Sequence, residues 1–183
     1  MPLCALPESG MLIAILSIAI GSIVLDQVTK AIVVSHMALY EELPLLPGFI
    51  RLYYVENTGA AFSMLSNHRW VFLLFSLVAM AVILYLLVKY RRRHPLLAVS
   101  LSMVLGGGVG NLIDRILNGS VVDFLQFEFV NFAVFNVADI FVTCGSVALA
   151  VSILFVEPRV EKRLQAEAPA EEPAHDGNHP DPT

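Results

Sequence analysis

The stretch MLIAILSIAIGSIVLDQVTKAIVV, residues 11–34, decides the fold. It is apolar for long enough to cross a hydrocarbon core, which takes about 20 such residues, yet it carries Asp26 and Lys30 one helical turn apart. Three further stretches of the same character follow at 71–88, 95–117 and 136–156. Hydrophobic residues make up 57% of the chain and charged ones only 15%, a balance that no ordinary soluble domain shows. The expected class is therefore an all-α membrane protein with four transmembrane helices. No basic region precedes the first stretch and no small-residue cleavage pattern follows it, so it reads as a retained span and not a signal peptide.

The formal charge of −5 is misleading. Glu167, Glu171, Glu172, Asp176 and Asp181 account for all of it, and the remainder of the chain is neutral. Its Lys and Arg residues are divided among loops and helix ends, which leaves no basic face of the kind nucleic acid needs. Residues 1–163 form one four-span domain in this reading. Residues 164–183, rich in Ala, Glu and Pro without apolar periodicity, read as an acidic, disordered cytoplasmic tail. Cys4 and Cys144 lie in the N-terminal segment and inside the fourth apolar stretch, and no disulfide is expected between them.

Lys89, Arg91, Arg92 and Arg93 separate the second and third spans, and Arg159, Lys162 and Arg163 follow the fourth. Positive loops stay in the cytoplasm, so both termini should be cytoplasmic, with 35–69 and 118–135 outside. The segment Phe49 to Val55 is rich in β-formers and lies between Pro47-Gly48 and the turn signal Asn57-Thr58-Gly59. It predicts a small extracytoplasmic β platform between spans one and two.

This topology places Asp26, Lys30, Asn57, Asn111, Asp114, Arg115, Asp123, Asn136 and Asp139 towards the outer face. An acid at the centre of a spanning helix costs about 2.5–3.5 kcal/mol to insert, so it generally faces a partner or a polar cavity. Asp26 has Lys30 at i+4. Asp114 adjoins Arg115, whereas Asp123, in Val121-Val122-Asp123-Phe124, has no cation within several positions. Asn136 is placed to cap the fourth span; capping explains Asp139 less well, because the first turn needs no second acid. Two carboxylates at a membrane surface that share a proton divide into an acid and a base, the aspartic peptidase arrangement. Spacing alone leaves either Asp114 or Asp123 as partner of Asp139, and the absent cation favours Asp123. The histidines are scattered over loops and tail, which argues against a metal. The run Gly106 to Gly110 follows no strand and reads as close helix packing, not a phosphate loop. A proton- or ion-coupled transporter is the alternative, but its polar residues would run through the whole membrane depth. A structural or assembly subunit would leave Asp123 unexplained.

Five motifs stand in order: Asp26-Gln27-Val28-Thr29-Lys30, Asn57-Thr58-Gly59-Ala60-Ala61-Phe62, Gly110-Asn111-Leu112-Ile113-Asp114-Arg115, Val121-Val122-Asp123-Phe124 and Phe135-Asn136-Val137-Ala138-Asp139. Together they resemble bacterial lipoprotein signal peptidase, signal peptidase II, from the first span through the fourth. The resemblance implies an inner-membrane aspartic endopeptidase, without cofactor, that removes the signal peptide of a prolipoprotein just before a diacylglyceryl-bearing cysteine. It implies Asp123 and Asp139 as the catalytic pair and Asn57, Asn111, Arg115 and Asn136 as the lining of the substrate site. Asp26, Lys30, Asp114, Gly59 and Gly110 would support them. The partners implied are prolipoprotein substrates and membrane lipid, around a monomer.

Overall fold

The computed structural model describes residues 8–59 and 69–167. Helix α1 (Glu8–His36) leads into two strands, β1 (Glu42–Leu46) and β2 (Ile50–Asn57), and then α2 (Arg69–Tyr90) and α3 (Pro95–Leu117). Strand β3 (Val121–Phe127) precedes α4 (Val137–Val151), a π-helical turn (Ser152–Val156) and α5 (Glu157–Glu167). Four helices are long and apolar enough to cross a membrane, beginning near 9, 73, 95 and 137, as expected. Helix continues through Glu167, past the 163/164 boundary expected for the tail. The tail beyond it, Cys4 and part of the Asn57-to-Phe62 motif lie outside the described residues, and Cys144 is a free thiol on α4.

The bundle is apolar outside, and many polar groups lie among the apolar ones inside. Leu74 and Phe75 are 63% and 74% exposed on α2, and comparable Leu, Ile and Val side chains stud the outer faces of α1 and α4. Water would not tolerate so much continuous apolar surface, whereas acyl chains would. The buried set includes Ser22, Asp26, Lys30, Ser100, Ser102, Asn111, Asp114 and Asn136, a reversal that only lipid-facing helices sustain.

Helix α3 is the centre, packed against α1, α2 and α4. His94 caps its start, its Nδ1 accepting from the Leu96 amide at 3.1 Å, and Pro95 opens the first turn, where no amide donor is missed. The glycine run makes the contacts close. A Cβ on Gly107 would stand 2.5 Å from the Ala138 carbonyl oxygen of α4, and one on Gly110 would stand 2.6 Å from Asp26 Oδ2 of α1. Helix packing is thus the meaning of the run, as read from sequence.

The β platform is larger than expected. Its order is β1-β2-β3, all antiparallel, and the third strand comes from the segment between the third and fourth spans. Pro44 sits in edge strand β1, where a missing amide donor is tolerated. One extra residue in β2 bulges the β2–β3 ladder between Leu52↔Leu125 and Val55↔Asp123. Without it Asp123 would face Tyr54, and Asn57 would point to the opposite side of the sheet. The bulge brings Asn57 onto the face that carries Asp123.

Candidate active site

Chain geometry before α4 sets the site. Leu125 and Phe135 form an isolated antiparallel bridge, with Phe135 N donating to Leu125 O at 2.9 Å and Leu125 N to Phe135 O at 2.8 Å. Residue 136 is therefore held against β3, with its side chain within reach of Asp123. Asn136 caps α4: its Oδ1 accepts from the Asp139 amide at 2.9 Å, while Asp139 Oδ2 accepts from the Asn136 amide at 3.1 Å. This reciprocal capping box corrects the expectation that capping explains Asp139 less well than Asn136. One carboxylate oxygen of Asp139 does serve the helix start.

The other oxygen faces the cluster. Asp139 Oδ1 accepts from Asn111 Nδ2 at 2.8 Å, and Asn111 Oδ1 in turn accepts from Asn136 Nδ2 at 3.0 Å. Asn136 Nδ2 also donates to Asp123 Oδ1 at 2.7 Å, and Asn57 Nδ2 donates to Asp123 Oδ2 at 2.9 Å. Asn57 is itself fixed, because its Oδ1 accepts from the Gly59 amide at 2.9 Å. Gly59 has a φ of +79°, a conformation suited to glycine. Asn136 therefore touches both carboxylates, Asp123 with its side chain and Asp139 with its backbone.

Burial pushes the Asp123 carboxyl up, and the charge of Asp139 adds to it. Donation from Asn57 and Asn136 and the charge of Lys30 act downward, leaving Asp123 at about 6. A carboxyl in that range still holds a proton where ordinary carboxylates have lost theirs.

A second layer lies behind. Lys30 Nζ bonds Asp26 Oδ2 at 2.8 Å, Asp114 Oδ2 at 2.8 Å and Asn111 Oδ1 at 2.9 Å. The i, i+4 pairing of Asp26 with Lys30 is as expected. The cation of Asp114, however, is Lys30 of α1 and not the adjacent Arg115, whose Nη1 donates to the Asn111 carbonyl at 3.2 Å. Adjacent helical residues diverge by about 100°, so proximity in sequence does not make them a pair. Asp114 also accepts from the Val122 amide at 3.2 Å, anchoring β3, and Asp26 accepts from the Ala138 amide at 2.9 Å, at the positive end of α4. Gln27, of the first motif, joins this layer. Its Nε2 donates to Asp114 Oδ1 at 2.9 Å, and to Gly110 O and Asp26 Oδ2 at 3.2 Å each. Only its place beside Asp26 in the sequence hinted at this.

Asn57, Asn111, Asp123, Asn136 and Asp139 thus form one connected cluster. Asp26, Lys30, Asp114 and Gly110 stand behind it, and Arg115 reaches it only through the Asn111 backbone. Among the described residues, no group of three or more His, Cys, Asp or Glu is placed to hold a metal ion.

Fold and site together define a class: an integral membrane enzyme with its polar machinery gathered at one end of a helical bundle. Residues 18–155 match the family described as signal peptidase (SPase) II, and the chain belongs to that family of aspartic peptidases. A lipoprotein signal peptidase of Symbiobacterium thermophilum is 52% identical over 142 residues, 76% of this chain and 93% of its own. One from Listeria monocytogenes is 41% identical over 147 residues, 79% of this chain and 95% of its own. A bacterial membrane enzyme solved by the in meso method at 1.9 Å resolution superposes with a TM-score of 0.74 at 29% identity, over 78% of this chain and 93% of that one. Nothing in these likenesses supports a transporter.

Proposed function

We propose that this peptidase removes signal peptides from diacylglyceryl-modified prolipoproteins in the bacterial cytoplasmic membrane, using Asp123 and Asp139 as its catalytic pair. The observation that carries the assignment is Asn136, which donates to Asp123 through its side chain and to Asp139 through its backbone. Asp114, the rival partner, is already saturated by Lys30, Gln27 and the Val122 amide.

Asp123, which keeps its proton to about 6, is the acid, and Asp139 the base. Asp139 takes a proton from water as the water oxygen bonds to the scissile carbonyl carbon, and Asp123 protonates the carbonyl oxygen. When the tetrahedral intermediate collapses, the C–N bond breaks and the proton held by Asp139 goes to the departing amine. Asp123 recovers its proton from the hydroxyl that becomes the carbonyl. Asn57, Asn111 and Asn136 offer donors and acceptors to a substrate backbone unwound for cleavage in surroundings poor in water, and Arg115 borders that site. Basic residues 89–93 and 159–162 at the opposite end favour cytoplasmic termini and an extracytoplasmic site.

The test is to incubate purified protein with a diacylglyceryl-modified prolipoprotein and follow release of the signal peptide. Asp123→Asn and Asp139→Asn should each reduce turnover by about 10²-fold or more while accumulating normally in the membrane. Full processing by either removes it from the pair. An unlipidated substrate should be processed far more slowly if the acyl chains are recognised.

A further inference from the structure

A β-bulge disrupts the ladder locally, so it persists where something holds the extra residue. In β2 the irregularity falls between Leu52 and Val55, at Tyr53-Tyr54. Of β2, Tyr54 alone is buried, at 6% exposure. Its ring packs with Val122 and Phe124 of β3 and with Val33 and Met37 at the end of α1. Val122 and Phe124 alternate with Asp123 and therefore point to the other side of the sheet. In an unbulged ladder Tyr54 would stand opposite Asp123 and carry its ring towards the carboxylate cluster. The extra residue is what lets the ring take the apolar side while Asn57 takes the side of Asp123.

Tyr54 is also fixed through its polar atoms. Its amide donates to the Glu41 carbonyl at 3.2 Å, and its carbonyl accepts from the Tyr40 amide at 2.8 Å. Tyr40 makes that bond with a φ of +69°, a conformation that a bulky residue takes only at a cost. The Tyr54 hydroxyl donates to Glu56 Oε1 at 3.2 Å, and Glu56 Oε2 accepts from the buried Ser120 at 3.3 Å. Burial and then the Glu56 charge push that hydroxyl up, so it remains a donor. Ring, hydroxyl and backbone are all held by groups outside the carboxylate cluster.

We propose that Tyr54 is a positioning residue for cleavage: by burying its ring against the end of α1 it fixes the β2 bulge, and the bulge delivers the Asn57 side chain to Asp123. The assignment rests on the reading of Asp123 as the acid. Asp123 is faced by Asn57, by Asn136 and Asp139 at the start of α4, and at longer range by Lys30 of α1. Of these, only Asn57 is carried by β2, so a change at Tyr54 reaches the carboxyl through Asn57.

The pH dependence of kcat/KM, measured with purified full-length protein and a diacylglyceryl-modified prolipoprotein, tests this. Tyr54→Ala should move the alkaline limb to higher pH by about half a unit or more, the loss of one hydrogen bond to the ionised carboxylate, as Asn57→Ala should. The double variant should move it no further than Asn57→Ala alone, because the two changes act through one contact. Tyr54→Phe keeps the ring and should keep the wild-type limb. So should Tyr53→Ala, whose ring lies beside the Arg51 guanidinium. Should the alanine variant not fold, Tyr54→Leu repeats the measurement, with a shift in the same direction expected. A limb that stays or falls in the Tyr54 variant, additive shifts in the double variant, or an equal shift in Tyr53→Ala overturns the proposal. In each of those cases a limb that does rise in Asn57→Ala leaves Asp123 standing as the acid. A limb unmoved in Asn57→Ala removes the reading of Asp123, and the role of Tyr54 with it.

Discussion

Asn136 is fully buried, and its side-chain amide is divided among four contacts. Its Oδ1 caps α4, and its Nδ2 donates towards Asn111, the Val122 carbonyl and Asp123. Asn57 is simpler, with one contact to Asp123 and one to the Gly59 amide, which makes it the cleaner probe. Its donation favours the ionised carboxylate and holds the proton affinity of Asp123 down against burial. Removing it must raise that affinity. In Asn57→Ala, the alkaline limb of the kcat/KM profile, where the acid loses its proton, should therefore move to higher pH from its wild-type position near 6. A limb that stays put or moves lower would show that Asp123 is not the acid it reports.

Among the elements, the α3–α4 contact sets how the two carboxylates meet, because Asp139 follows directly on the residue that Gly107 faces. Gly107→Ala places a methyl group against a backbone oxygen that cannot yield. Cleavage should fall by about 10²-fold, the usual consequence of moving a catalytic group by an ångström. Gly108→Ala, whose neighbour is the flexible end of Met80, should retain most of its activity. Comparable loss in both would assign the effect to general crowding of α3 instead of to the Ala138 contact. The four helices were legible in the sequence because an apolar run long enough to span a bilayer has few other solutions. Strand β3 was not, since Val121 to Phe127 is only seven residues long and acquires its meaning from β2, some 70 residues earlier. The bulge in β2 was equally hidden, being a matter of register between distant segments. The cluster was legible as a set of residues, but the partners within it were not. Lys30 meets Asp114 across 84 positions, while Arg115 stands next to it in sequence and bonds elsewhere.

For the whole molecule, the buried charges form one account. Asp26 and Asp114 share Lys30, so Lys30→Met strands two carboxylates where their ionisation is costly. It should destabilise the protein by about 3–5 kcal/mol, as breaking a buried pair does, measured as a fall in the thermal unfolding temperature in detergent. Adding Asp114→Asn to Lys30→Met should recover part of the loss by removing one stranded charge. No recovery would mean that the Val122 anchor matters more than charge balance. The spacing of Asp26 and Lys30 has a further consequence for the order of biogenesis. During synthesis α1 emerges before α3 exists, and an isolated acid or base would resist leaving the translocon. Because the two lie one turn apart on the same helix, the first span can partition into the bilayer as an internally neutralised segment. It then holds its lysine ready for the acid that arrives with the third.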